Sequence, residues 1–337
     1  MYRKQRDTFL QVSSYALFAC VLFVVGKIAW SEWRCNAHNI SNESAIAYTP
    51  FAFFATLHLP FATQPPQVVH LGTDVLTTNT PASPRSSKIG KCTVTNSKHD
   101  PIHLPALDSH LRHSEINHYP IFVLDRPTTN GSWTKEAALL AVLLQEMSKP
   151  EAIRLRWIMW FDVNTLVINP LIPVEAFLPP AHLGGINLLV TENWNGLNSG
   201  VFLLRVSAWS VDFLTNILSH PSFKPDEDLP FAEKSVMERM IQDPRYASAC
   251  IYVPPRWLNS YPRDEDESWT NKYHVQKGDM MLRFAGVSED RPRMISAFYD
   301  HVVSEREEWE VPLSETTLPE EIAGFWRNFG MQRGLKI

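Results

Sequence analysis

The sequence predicts an α/β domain on a mostly parallel sheet, preceded by an N-terminal transmembrane helix. Three observations carry that reading. Apolar runs of strand length alternate with helix-period segments from about residue 88 onward. A stretch rich in Pro, Ser, Thr and Ala separates that region from the start of the chain. The start itself joins a basic flank to an uncharged apolar run.

Arg3, Lys4 and Arg6 precede residues 8–26, which carry no charge and include Phe9, Leu10, Leu17, Phe18, Val21, Leu22, Phe23, Val24 and Val25. That length crosses a bilayer, and the basic side of such a span stays cytosolic. The expected order is a tail (1–7), a signal anchor (8–30), a lumenal stem (31–87), a folded domain (88–307) and a C-terminal tail (308–337). A cleaved signal peptide is the alternative, although no small-x-small cleavage site follows the run. In this orientation the sequons at Asn39, Asn42 and Asn130 all lie on the lumenal side. Pro60, Pro65, Pro66, Pro81 and Pro84 interrupt any regular pattern in the stem.

With 337 residues, 45% of them apolar and 13 glycines, the chain has enough apolar side chains for one or two substantial cores. A net charge of −5 argues against nucleic acid as a partner, because phosphate binding needs a clustered cationic surface. Cys20, Cys35, Cys92 and Cys250 show no CxxC spacing, which leaves zinc unsupported and a Cys92–Cys250 disulfide open. His103, His110, His113 and His118 likewise lack a ligand spacing. The acidic run 264–267 reads as a solvated loop rather than paired glycosidase carboxylates. Eleven tryptophans suggest sugar-stacking surfaces, yet most belong in the core of a domain this size.

Along the domain, strands are expected at 91–95, 121–124, 157–161, 186–191, 201–206, 251–254 and 280–284. Helices are expected at 135–147, with Thr134 as N-cap, after Ser207 with Trp209, Phe213 and Ile217 on one face, and at 234–241. Trp309 and Trp326 are expected to pack back from the tail. Ligands of parallel sheets sit beyond the strands' carboxyl ends, and the run from Trp157 to Phe161 ends there in Asp162 and Asn164. Read alone, such a pair is more often a turn or cap than an active site.

Five collinear stretches add to this: SWTKEAAL (132–139), WIMWFDVNTLVINP (157–170), NWNGLNSGVFLLRVSAWS (193–210), VPPRWLNSYP (253–262) and KGDMMLRFAG (277–286). In these the chain resembles glycosyltransferase family 34, the fungal galactosyl- and mannosyltransferases with the plant xyloglucan xylosyltransferases. The resemblance implies a GT-A fold, a UDP- or GDP-sugar donor, a glycan or glycoprotein acceptor, and transfer with retained anomeric configuration. With the anchor, it implies a single-pass type II Golgi membrane protein, alone or in hetero- or homo-oligomers with other Golgi transferases. By the same resemblance Asp162 matches the first Asp of a DxD motif that contacts ribose and metal. Asn195, Gly196, Leu197, Asn198 and Ser199 match a loop against the donor and acceptor sugars. Lys135 is placed to reach a donor phosphate, Asn259 and Tyr261 lie near the acceptor, and Gly286 closes the last stretch on the donor side.

Three positions depart from that family. Asn164 stands where the second DxD carboxylate belongs, Arg283 where a His belongs, and Lys234 where a Gln belongs. Asn is a weak ligand and a guanidinium has no lone pair, so Mn²⁺ is doubtful and Asp162 is left as its one weak ligand. Arg283 offers a fixed charge to a leaving diphosphate in the metal's place. This leaves two readings: a metal-independent hexosyl- or pentosyltransferase, with Asn195, Asn198 and Arg283 at its centre, or an inactive homologue kept as a subunit of a Golgi glycosylation complex.

Overall fold

The computed structural model describes residues 68–70 (backbone only), 88–95, 104–124, 133–262, 272–284 and 290–334. The expected anchor, all three sequons, the 264–267 run and Gly286 lie outside these residues. Among the described residues no helix is long and apolar enough to cross a membrane.

The strands are β1 (Val68–His70), β2 (Ile89–Val94), β3 (Ile121–Leu124), β4 (Trp157–Phe161), β5 (Thr165–Val167), β6 (Leu188–Asn193), β7 (Gly196–Arg205), β8 (Cys250–Tyr252) and β9 (Met281–Arg283). Seven form one sheet in the order β1-β3-β2-β4-β7-β6-β8, and β5 pairs with β9 in a separate ribbon. Most neighbours run parallel, as the alternating pattern predicts, but β7 is antiparallel to both β4 and β6. The cause is the short turn that folds β7 back on β6, which leaves no crossover between them. β1 falls within the stretch expected as stem.

The sheet is covered on both faces, which explains strands that read as continuous apolar runs. Along β4 the alternation is plain. Ile158 and Trp160 join a core with Leu139, Val142, Leu143, Phe213 and Ile217, whereas Trp157, Met159 and Phe161 join one with Ile172, Phe177, Trp257 and Trp326. Helix α1 (Leu104–Asn117) lies at the ribbon, while α2 (Thr134–Met147), α3 (Ala208–Phe223) and α4 (Glu233–Gln242) supply side chains to the first core. Short helices α5 (Pro244–Ala247) and α6 (Pro255–Leu258) bracket β8, and α7 (Arg291–Ser304), α8 (Arg306–Trp309) and α9 (Leu318–Gln332) complete the chain. Residues 219–225, which include the last turn of α3, belong to a separate compact unit and are described by that turn alone.

Several expectations need correction. Thr134 does not cap α2; it is the helix's first residue, and the N-cap position is Trp133, which makes no side-chain cap bond. Ser207 does cap α3, its Oγ accepting from Ser210 N at 3.3 Å. Trp309 and Trp326 do pack back on the domain: Trp326 enters the second core with Leu318 and Ile322 of α9, and Trp309 packs with Leu166, Leu282 and Phe284. A Cys92–Cys250 disulfide is ruled out, since both are buried free thiols. Three strands separate β2 from β8, a span of roughly 19 Å that no disulfide bridges.

Candidate functional site

Asp162 is the first residue after β4, at the carboxyl end of a strand parallel to β2. Its N–H donates to Gly200 O at 2.8 Å, extending the β4–β7 ladder by one step. The carboxylate is held on both oxygens: Trp160 Nε1 donates to Oδ1 at 2.9 Å and Arg283 Nη2 to Oδ2 at 3.2 Å. Arg283 arrives from β9, where it sits opposite Thr165 in the ribbon. Its Nη1 donates to Asn198 Oδ1, so one guanidinium ties the end of β4 to β7.

Asn198 is aimed by an irregularity in β7. Leu189 pairs with Leu203 but Thr191 pairs with Asn198, so two steps on β6 are met by five on β7. Bulges of this kind re-aim side chains next to functional sites. Asn198 Oδ1 also accepts from Gly200 N at 3.0 Å, and its Nδ2 donates to Tyr261 Oη at 2.7 Å. Gly200 makes room for the guanidinium, because a Cβ at that position would stand 1.6 Å from Arg283 Nη1 and displace it. Sequence reasoning passed over Gly200; a lone glycine inside a strand pattern is the available sign of close approach.

Lys135, in the first turn of α2, is the second cation. Its Nζ donates to Ser199 Oγ at 3.3 Å and lies 3.3 Å from Glu233 Oε1 and 3.6 Å from Glu136 Oε1. Burial works against the ammonium, but Glu136, Asp162 and Glu233 outweigh it and hold its pKa above the ordinary lysine value. Burial also pushes Glu136 up to about 7, with Lys135 opposing the shift. Glu136 and Glu233 were not anticipated, as one carboxylate among helical residues gives no signal of its partner.

The remaining residues divide. Gly196 makes the hairpin turn between β6 and β7 at φ 84°. Asn195 is exposed at that tip, where Lys234 Nζ donates to its carbonyl at 3.4 Å. Leu197 has its side chain in the first core and its N–H on Glu238 Oε1 at 3.0 Å, so neither is free for a ligand. Asn259 is fully buried, its Nδ2 donating to Thr191 Oγ1 at 2.8 Å and Val201 O at 2.9 Å, a bracket for the irregular β6–β7 segment. Tyr261, by contrast, reaches the site through Asn198.

The residues present do not fit a bound divalent cation. Among the described residues no three His, Cys, Asp or Glu side chains converge, and the carboxylate of Asp162 faces a guanidinium. Asn164 turns its Nδ2 to Phe284 O at 3.1 Å, and its Oδ1 is buried without a hydrogen-bond partner. The site instead holds two cations, Arg283 bonded to Asn198 and Lys135 to Ser199 of β7, and both are side-chain types that bind phosphate oxygens.

Residues 182–292 match the model of the galactosyl transferase GMA12/MNN10 family. Similar proteins include the probable alpha-1,2-galactosyltransferase gmh1 of Schizosaccharomyces pombe, 28% identical across 44% of this chain and 52% of that protein. Another is the probable xyloglucan 6-xylosyltransferase 1 of Oryza sativa subsp. japonica, 29% identical across 48% of this chain and 34% of the relative. Glycosyltransferase 6 of Arabidopsis thaliana is 27% identical across 53% and 40%. The chain thus spans about half or less of the length of these relatives. Among solved structures, a glycosyltransferase involved in glycosylation of the major capsid of PBCV-1 aligns at 16% identity and a TM-score of 0.49, covering 62% of this chain and 98% of that one.

Proposed function

The chain belongs to the galactosyl transferase GMA12/MNN10 family, and we propose that it is a retaining glycosyltransferase that uses Arg283 where a metal would otherwise act. The observation that carries this reading is the guanidinium bridge from Asp162 to Asn198, set over Gly200. On this proposal the chain is a GT-A domain held by an N-terminal anchor on the lumenal side of the Golgi membrane.

In this reading a UDP- or GDP-sugar lies across the carboxyl end of β4, with Asp162 toward the ribose. Arg283 and Lys135 face the diphosphate and offset the charge that grows on it as the glycosidic C–O bond breaks. The acceptor hydroxyl forms the new bond to the anomeric carbon on the face the diphosphate leaves, and its proton passes to the departing phosphate oxygen. No protein base is required. Asn198 holds the guanidinium in place, and Asn164 keeps the ribbon closed on Phe284.

A second reading has its own support. Arg283 is already paired with Asp162, and Lys135 with Glu233, so the site neutralises itself without a ligand. Such a domain would serve as a non-catalytic subunit of a glycosylation complex. Binding and hydrolysis of UDP-galactose, UDP-xylose and GDP-mannose separate the two. Binding with slow hydrolysis of one donor supports the enzyme, whereas weak or no binding of every donor, or binding without turnover, overturns it and supports the subunit.

A further inference from the structure

Among the described residues Trp194 is the one tryptophan that is largely exposed, at 63%. It stands at the β6–β7 hairpin tip, one residue from Asn193, and rests on two aromatic rings. The Tyr261 ring lies 5.1 Å away tilted by 49°, and the Tyr273 ring 6.1 Å away at 89°. We propose that Trp194, with Tyr261 and Tyr273 beneath it, is the acceptor subsite, stacking on the apolar face of a pyranose ring. This rests on the reading above for the word acceptor and for Tyr261, which touches Asn198; Trp194 and Tyr273 are new to it.

The platform is fixed before any ligand arrives. Tyr261 is buried and its backbone pairs with the 273–275 segment, Tyr261 N donating to Tyr273 O at 2.7 Å and Val275 N to Tyr261 O at 2.9 Å. Asn193 Oδ1 accepts from Asn195 N at 2.8 Å, and Asn193 Nδ2 donates to Tyr261 Oη at 3.3 Å, locking the hairpin onto the tyrosine. A preset aromatic face loses little entropy on binding.

The surroundings suit a sugar better than a protein. The Lys272–Glu192 pair, 2.8 Å apart and half exposed, borders the platform, with Lys272 Nζ 5.0 Å from the centre of the Tyr273 ring. A pyranose presents one apolar C–H face and a ring of hydroxyls, matching one indole face with a charged polar rim. A stable protein interface needs roughly 1,000 Å² of buried surface, which a single exposed ring does not provide. The Tyr261 hydroxyl is shared by Asn193 and Asn198, and Asn198 accepts from Arg283. The platform is therefore continuous with the cationic centre, as an acceptor must be for its hydroxyl to reach the anomeric carbon.

The test uses the full chain and two probes, a β-1,4-linked glucose tetrasaccharide and an α-linked mannose tetrasaccharide, titrated by calorimetry and saturation-transfer NMR. At least one should bind the unaltered protein, with saturation strongest on the C–H face of one residue. Trp194→Ala should weaken that binding at least tenfold, and Trp194→Phe should stay within threefold of the parent. UDP and GDP are titrated into the same preparations. Sugar binding that depends on Trp194 while neither nucleotide binds would keep the platform and remove the donor reading. Failure of both tetrasaccharides to bind, or undiminished binding by Trp194→Ala, would overturn the platform. So would a parallel loss of sugar and nucleotide binding in both variants, since Trp194 would then only prop the hairpin.

Discussion

Gly200 and Arg283 are matched by contact: a methyl group on residue 200 would lie 1.6 Å from Nη1 and 2.0 Å from Cζ of the arginine. The obstacle is the far end of a flexible side chain, so Gly200→Ala should displace the guanidinium and leave the sheet standing. Arg283→Ala should weaken nucleoside diphosphate binding by about 1.5–3 kcal/mol, the scale of a hydrogen bond to a charged group. Gly200→Ala should cost a similar amount, and the double variant little more than either single one, because both remove the same group. Calorimetric titration with UDP and GDP across the cycle checks this; additive losses would show that Gly200 and Arg283 act apart.

Metal dependence follows from the same contacts. Nucleoside diphosphate should bind the unaltered protein equally well in EDTA and in Mn²⁺. Asn164→Asp together with Arg283→His should make binding require Mn²⁺, since a carboxylate and an imidazole replace an amide and a repelling cation. Asn164→Asp alone should lower stability by about 1–2 kcal/mol. It sets a carboxylate oxygen against Phe284 O, where Nδ2 now donates at 3.1 Å. Tight binding by the parent only in Mn²⁺ would refute the substitution of arginine for metal.

The central strands were legible because both faces of the sheet are covered. β3 and β4 fall on the expected residues, the ends of β2, β6, β7, β8 and β9 moved by one to five, and β1 and β5 were not expected. Helix α1 was not legible: Ser109, His110, His113 and Ser114 are buried polar residues, so no apolar stripe marks its inner face. His110 stacks on Phe161 at 3.6 Å, while His113 faces Lys91 Nζ at 3.1 Å; burial drives that lysine's pKa well below its usual value. Asp162, Asn198 and Arg283 were nameable from the family pattern, but their mutual contacts depend on the β7 irregularity. That in turn needs the Asn259 bracket, a buried side chain the sequence placed near the acceptor. Leu197 shows the opposite failure, since a residue within a functional stretch can face the core.

Glu136 gives the site a pH signature. Its folded pKa, about 7, lies above the ordinary 4.5, so between those values the native state keeps a proton that the unfolded chain has lost. Stability should therefore be full below pH 4.5 and fall as pH rises through 7, by on the order of 3 kcal/mol for this group. Lys135 titrates above the usual lysine range and does not contribute in that window. Glu136→Gln should flatten the decline, read as the difference in denaturation midpoint between pH 5 and pH 8. An unchanged slope in the variant would place its origin elsewhere.

The C-terminal segment is tied to the domain by Arg256, which bonds Asp279 Oδ1 through Nη2 at 2.7 Å and Glu321 Oε2 through Nη1 at 2.6 Å. Trp257 Nε1 donates to the other oxygen of Glu321 at 2.7 Å, which fixes α9 against α6. Asp279 is fully buried, and burial raises its pKa even with the arginine present. Arg256→Ala should cost about 3–5 kcal/mol at neutral pH, the penalty of leaving one partner of a buried pair unpaired. The sign with pH follows from desolvation. Without Arg256 the folded pKa of Asp279 rises further, the native state takes up a proton, and the loss shrinks as pH falls through that pKa. Asp279→Asn in the Arg256→Ala background should recover part of the loss at pH 7 and almost none at acidic pH. Chemical denaturation of the three proteins at two pH values is sufficient. A loss of under 1 kcal/mol in Arg256→Ala, or one independent of pH, would show that α9 is held by its apolar face alone, through Leu318, Ile322 and Trp326.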